Sequence, residues 1–145
     1  MRNLTQKRAK FALDKVNDII TPNSKYSNVN NKNFKSFAAG APTLILQNGL
    51  AQALAFWAAK VKSNDTVTNE KYILHVITSW FSDAENPLHF SKDNLDNFTF
   101  IKNILGKDQS EYLAIQRETL ALLEWVKRYA NAFLSEDKKQ DNGDN

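Results

Sequence analysis

His75 and His89 are the two side chains of this 145-residue chain that could act as general bases near neutral pH. There is no cysteine, so a thiolate nucleophile, a Cys-ligated metal and a disulfide framework are all excluded, and a reducing compartment fits. His75 lies between Leu74 and Val76 and reads as a partly buried or surface helix residue. His89 stands in Asn86-Pro87-Leu88-His89-Phe90, with no second histidine or carboxylate at ligand spacing. The chain has no His-x-x-x-His, no Glu-x-x-His and no glycine-rich phosphate loop. Asp14 and Asp18 form an i, i+4 carboxylate pair, but lysines surround them and ion pairing is their expected role. No catalytic residue, metal site or cofactor is assigned, and the chain is not expected to be an enzyme.

Binding chemistry is better represented. Residues 1–62 carry ten basic side chains against two acids, a net of +8, whereas residues 63–134 carry a net of −3 and residues 135–145 a net of −2. Cations spread along a helical scaffold neutralise phosphates and release counterions, which gives sequence-independent, salt-dependent affinity for nucleic acid. Phe11, Phe56, Trp57, Trp80, Phe98, Trp125 and Tyr129 fall on apolar stripes and are expected in the core, so base stacking is expected to be minor.

The elements that must position these cations are helical. Four glycines and three prolines are too few for a turn-rich β architecture. Ala9, Ala12, Val16 and Ile19 repeat at three- and four-residue steps behind Leu4 and predict a helix over 5–20, ended by Thr21-Pro22. An Asn-rich loop follows. A short helix is predicted over 31–39, held by Phe34 and Phe37 and capped by Gly40. Pro42 then suits the first turn of a long central helix over 42–62, PTLILQNGLAQALAFWAAKVK. Its Gln47, Asn48 and Gln52 argue against a membrane span and are expected to bond across a bundle, while Gly49 is expected to permit close helix approach.

Helix four is predicted over 66–83, with Tyr72, Ile73, Val76, Ile77, Trp80 and Phe81 inward. Ser91 is a candidate cap for helix five, whose expected core positions are Leu95, Phe98, Ile101, Ile104 and Leu105, and Gly106 stops it. Asp108 with Glu111 resembles a capping box opening helix six, along which Tyr112, Ile115, Thr119, Leu122, Val126, Tyr129 and Phe133 are spaced for burial. The fold class is therefore all-α: one domain over 1–134, a compact bundle of five or six helices around the long apolar helix. The acidic tail 135–145 has nothing to bury and is expected to be disordered.

Three segments together carry a family likeness: QKRAKFALDKV at 6–16, APTLILQNGLAQALAFWAAK at 41–60 and ETLALLEWVKRYANAFL at 118–134. In order and spacing they resemble the small helical subunit of the type III-B CRISPR effector, the Cmr complex. The resemblance implies a cytoplasmic, non-catalytic RNA-binding subunit in antiviral defence. It implies head-to-tail self-association, contacts with other subunits of the effector complex, and backbone contacts with guide RNA and target RNA. Carried over by motif, the implied contacts are Lys7, Arg8, Lys15, Lys60, Lys127 and Arg128, with Lys62 and Arg117 flanking the motifs. The Asn-rich segment 23–33 and the connection between helices four and five are not mapped by the likeness. The alternative is a helical protein–protein adaptor with no nucleic-acid contact.

Overall fold

Residues 2–61, 67–92 and 95–134 are described by the computed structural model, in which the first helix, α1 (Leu4–Ile20), opens on a reciprocal cap. The Asn3 side chain accepts from the Gln6 amide and Gln6 Oε1 accepts from the Asn3 amide, satisfying two donors that the first turn leaves orphaned. Ala12, Val16 and Ile19 form the buried stripe, as their spacing requires. A turn-rich loop follows, with Val29 buried and the Ser24 hydroxyl donating to the Asp18 carbonyl.

The next segment departs from expectation. α2 (Asn31–Asn48), capped by Asn30, runs straight through Gly40 and Pro42. Pro42 forfeits one backbone bond, but its ring is buried beside Ala38, Ala41 and Ile45, and that burial offsets the missing donor. The chain breaks instead at Gly49, whose φ of 84° and ψ of 160° lie in a region that only glycine adopts readily. α3 (Leu50–Ala59) follows, with Lys60 as its C-cap. The expected single helix over 42–62 is thus the end of one helix and the whole of another.

α4 (Asn69–Trp80) is capped by the Thr68 hydroxyl, which accepts from the Lys71 amide at 3.1 Å. It is shorter at both ends than the periodicity suggested. In the following loop, buried Asn86 donates to the Trp80 carbonyl and accepts from the Leu88 amide. α5 (Asn97–Leu105) is capped by Asp96 rather than Ser91, whose amide bonds the Phe81 carbonyl. Its core residues are Phe100 and Ile104, while Phe98 and Leu105 are 77% and 63% exposed. The periodicity of so short a helix admits either phenylalanine, and it is Phe100 that meets the Phe81 and Phe90 rings, with centres 6.3 and 5.3 Å away.

α6 (Gln109–Phe133) is the longest helix, with Asp108 accepting from the Glu111 amide at 2.8 Å. It packs against both α1 and α2, and α3 packs against α2, α4 and α5. The spine is therefore α6, and the apolar run is an elbow whose α2 arm lies along it while its α3 arm turns toward α4 and α5. Tyr112 and Gln116 of α6 receive the Ala51 and Leu50 amides at 2.9 and 2.8 Å, capping α3 where Gly49 offers no side chain. Gln47, Asn48 and Gln52 face outward instead of bonding across the bundle. Trp57, Trp80, Tyr72, Phe34, Phe81 and Phe100 are the largest buried side chains, whereas Phe56 and Phe133 are exposed. Among the described residues there are six helices and no strand, and no helix is long and apolar enough to cross a membrane. The tail 135–145 lies outside the described residues.

Candidate nucleic-acid interface

Lys127 and Arg128 stand near the C-terminal end of α6, on the side where the N-terminal half of α2 lies. Lys32 and Lys35, one turn apart on α2, face them across a groove of about 520 Å³ completed by Ser36, Ala39 and Asn131. Two helices thus bring four cations to one concavity whose lining contains no acid. The spacing of Lys32 and Lys35 placed them on one helix face, but their juxtaposition with Lys127 and Arg128 depends on α2 lying along α6. That is why neither was singled out from the sequence. Lys32, Lys127 and Arg128 form no ion pair among the described residues.

The remaining candidates are scattered. Lys7 reaches Glu85 at 3.4 Å and keeps part of its side chain in water. Lys60 is exposed at the end of α3, its ammonium 5.2 Å from the centre of the Phe56 ring. Arg117 is on α6, and Lys62 falls outside the described residues. The groove gathers only two of the expected eight, Lys127 and Arg128.

Arg8 and Lys15 are turned inward, against the expectation that they face a polyanion. Arg8 donates from Nε and Nη2 to the two carboxylate oxygens of Glu118 at 2.7 and 2.8 Å, and Trp80 Nε1 donates to the same carboxylate at 2.8 Å. Glu118 is 5% exposed, and the bidentate pair with Arg8 offsets the cost of taking its carboxyl group out of water. The heptad-like stripe of helix six gave no sign of this acid, because a charged residue on a buried face is rare unless paired.

Lys15 Nζ lies 3.2 Å from His75 Nε2 and 5.2 Å from the centre of the Phe11 ring. Since an ammonium can only donate, Nε2 is the acceptor and the neutral imidazole carries its proton on Nδ1, facing Ser79 Oγ at 3.4 Å and Tyr26 Oη at 3.5 Å. Burial, reinforced by Lys15 and Lys25, pushes His75 down to about 4, and burial lowers Lys15 as well. The imidazole is a packed structural group with tyrosine rings on two sides. His89 Nδ1 lies 2.7 Å from the Asn86 carbonyl. Asp14 pairs with Lys10 at 3.0 Å. Among the described residues, no three His, Asp or Glu side chains gather in a group that could hold a metal ion.

Comparisons with known proteins agree with this architecture. Residues 4–133, from the first residue of α1 to the last of α6, match the family described as CRISPR-associated protein (Cas_Cmr5). The crystal structure of a CRISPR-associated Cmr5 family protein from Thermus thermophilus is similar in fold, with a TM-score of 0.62 and 24% sequence identity. That likeness covers 93% of this chain and 100% of the Thermus chain.

Proposed function

The chain belongs to the Cmr5 family of CRISPR-associated proteins, and from that membership we propose that it is a non-catalytic subunit of a type III-B effector that holds guide and target RNA by their backbones. Family membership implies partnership with other subunits of a CRISPR effector complex. The observation that carries the RNA reading is the groove between α2 and α6, where Lys32, Lys35, Lys127 and Arg128 converge with no acid in the lining. Such a site attracts phosphates of any sequence and reads few base edges. Lys7, Lys60 and Arg117 are outlying cations on the same surface chemistry, while Arg8 and Lys15 are committed to Glu118 and His75.

Head-to-tail association of copies is supported by the charge split. A basic N-terminal half and a net-acidic remainder attract one another between successive copies, and such contacts weaken with salt. Light scattering of the isolated subunit across a salt series tests this, and association strengthened by salt would count against it.

The RNA reading is tested by gel-shift titration of Lys127→Ala and Arg128→Ala, alone and inside the assembled complex. Affinity for unrelated RNA sequences should fall in parallel, and the salt slope should drop by roughly one unit for each phosphate no longer neutralised. A sequence-selective loss, or none, sinks it. A protein–protein adaptor is the second reading, favoured by the exposed Leu46 and Phe56. It requires partner binding that ignores salt and no shift of RNA.

A further inference from the structure

Leu44 and Asn48 stand one turn apart on α2, and Gln52 and Phe56 one turn apart on α3. Where the two helices meet at Gly49, these four line a groove of about 450 Å³ with Ala53 and Ala55. The lining carries no charged side chain, and the sequence holds none between Lys35 and Lys60. Core packing does not account for what the groove presents. Phe56 is 52% exposed, and no other aromatic ring packs on it among the described residues. Asn48 gives one N–H to the Leu44 carbonyl at 3.2 Å, which leaves its oxygen and its second N–H to other partners. The Gln52 carboxamide has no hydrogen-bond partner among the described residues.

A cation touches the same ring. Lys60, one turn beyond Phe56 as Gln52 is one turn before it, holds its ammonium 5.2 Å from the ring centre. An aromatic face, carboxamides and an ammonium are together the groups that meet an unpaired nucleotide. The ring stacks on the base, the carboxamides bond its edge, and the cation takes its phosphate. Adenine suits a carboxamide best, because its edge presents a donor beside an acceptor. A protein partner fits the groove less well. A stable protein contact takes about 20–30 residues a side, whereas six line this groove, and the exposed Leu46 is not among them. Helical spacing sets Leu44 and Asn48 on the opposite side of α2 from Lys32 and Lys35, so this groove is separate from the one between α2 and α6.

We propose that the elbow groove is a pocket for one unpaired RNA base, adenine above others, stacked on Phe56 and bonded by Gln52 and Asn48, with its phosphate on Lys60. This rests on the reading of the chain as an RNA-binding subunit, and it adds a base-reading contact apart from the α2–α6 groove.

The full-length protein is titrated by fluorescence anisotropy with three labelled single strands of equal length. These are oligoadenylate, oligouridylate and an abasic strand, which keeps the phosphates without the bases. Oligoadenylate should bind the parent roughly 5- to 100-fold more tightly than the abasic strand. Phe56→Ala should remove most of that margin and leave abasic binding unchanged. Phe56→Tyr, which keeps a ring face, should preserve the margin, and Phe56→Leu, apolar without a ring, should not. Gln52→Leu should erase the preference for oligoadenylate over oligouridylate. Thermal melts of these variants should match the parent, because both side chains are exposed. If Phe56→Ala or Phe56→Leu keeps the margin, if Phe56→Ala loses the abasic strand equally, or if the parent binds all three strands alike, the pocket is wrong while the α2–α6 groove stands. If the parent binds none of the strands, the RNA reading and the pocket fall together.

Discussion

Arg8 on α1 grips Glu118 on α6 through two parallel N–H···O bonds of 2.7 and 2.8 Å, tying together residues 110 positions apart in sequence. Trp80 of α4 donates to the same carboxylate, so three helices meet at one buried charge. The guanidinium fork matches a carboxylate in geometry as well as charge, which a lysine could not do.

Arg8→Ala should therefore act on folding first. It leaves the buried Glu118 without its guanidinium partner and bonded only to an indole, at a cost of about 3–5 kcal/mol. Arg8→Met combined with Glu118→Gln keeps an acceptor for Trp80 and should lose less than Arg8→Met alone. Urea denaturation of the three variants checks this. Equal losses for single and double variants would show that the pair is not coupled.

Acid should loosen the contact between α1 and α4. His75 falls to about 4 in the folded chain from an ordinary 6.5, through burial first and then Lys15 and Lys25. Between those values the unfolded chain binds more protons than the folded one. The stability held by neutral His75 is thus complete above about pH 6.5 and is lost as pH falls toward 4. Solvent screening at this part-buried position leaves on the order of 1–2 kcal/mol of that effect. His75→Asn should show a shallower decline in urea midpoint between pH 7 and pH 4.5 than the parent. Parallel declines would assign acid sensitivity to the carboxylates.

Gly49 and Gly40 should respond to alanine in opposite directions. At Gly49 a Cβ would sit 3.7 Å from Tyr112 Oη, an ordinary contact, so space is not the obstacle. Its positive φ is, and Gly49→Ala should cost about 1–3 kcal/mol. Gly40 is inside α2 with nothing within 4 Å of an added Cβ, and Gly40→Ala should stabilise by about 0.5–1 kcal/mol. Thermal melting of both variants decides. A stable Gly49→Ala would mean that the elbow between α2 and α3 can straighten.

Phe98 and Phe100, two residues apart on α5, should separate as sharply. Phe100→Ala empties a fully buried site and should cost about 3–5 kcal/mol, while Phe98→Ala should stay within about 0.5 kcal/mol of the parent. Chemical denaturation of the two variants measures the difference.

The sequence by itself determined the helical class, the caps at Asp108 and Thr21-Pro22, the buried stripes of α1 and α6, and the segment words that resemble the Cmr small subunit. These depend on contacts a few residues long, where the period of a helix and the chemistry of its ends act locally. Tertiary structure decided the rest. The break fell at Gly49 because Tyr112 and Gln116, more than sixty residues away, supply the cap that α3 lacks. Helix continuity through Pro42 followed from burial of its ring, which no local propensity records. Arg8 and Lys15 were legible as cations, but their direction was not: a charge on a helix edge faces water or a buried acid according to what packs there. Likewise Lys32 and Lys35 acquired partners in Lys127 and Arg128 only when α2 was laid along α6. Charge is a property of the residue, and a binding surface is a property of the packing.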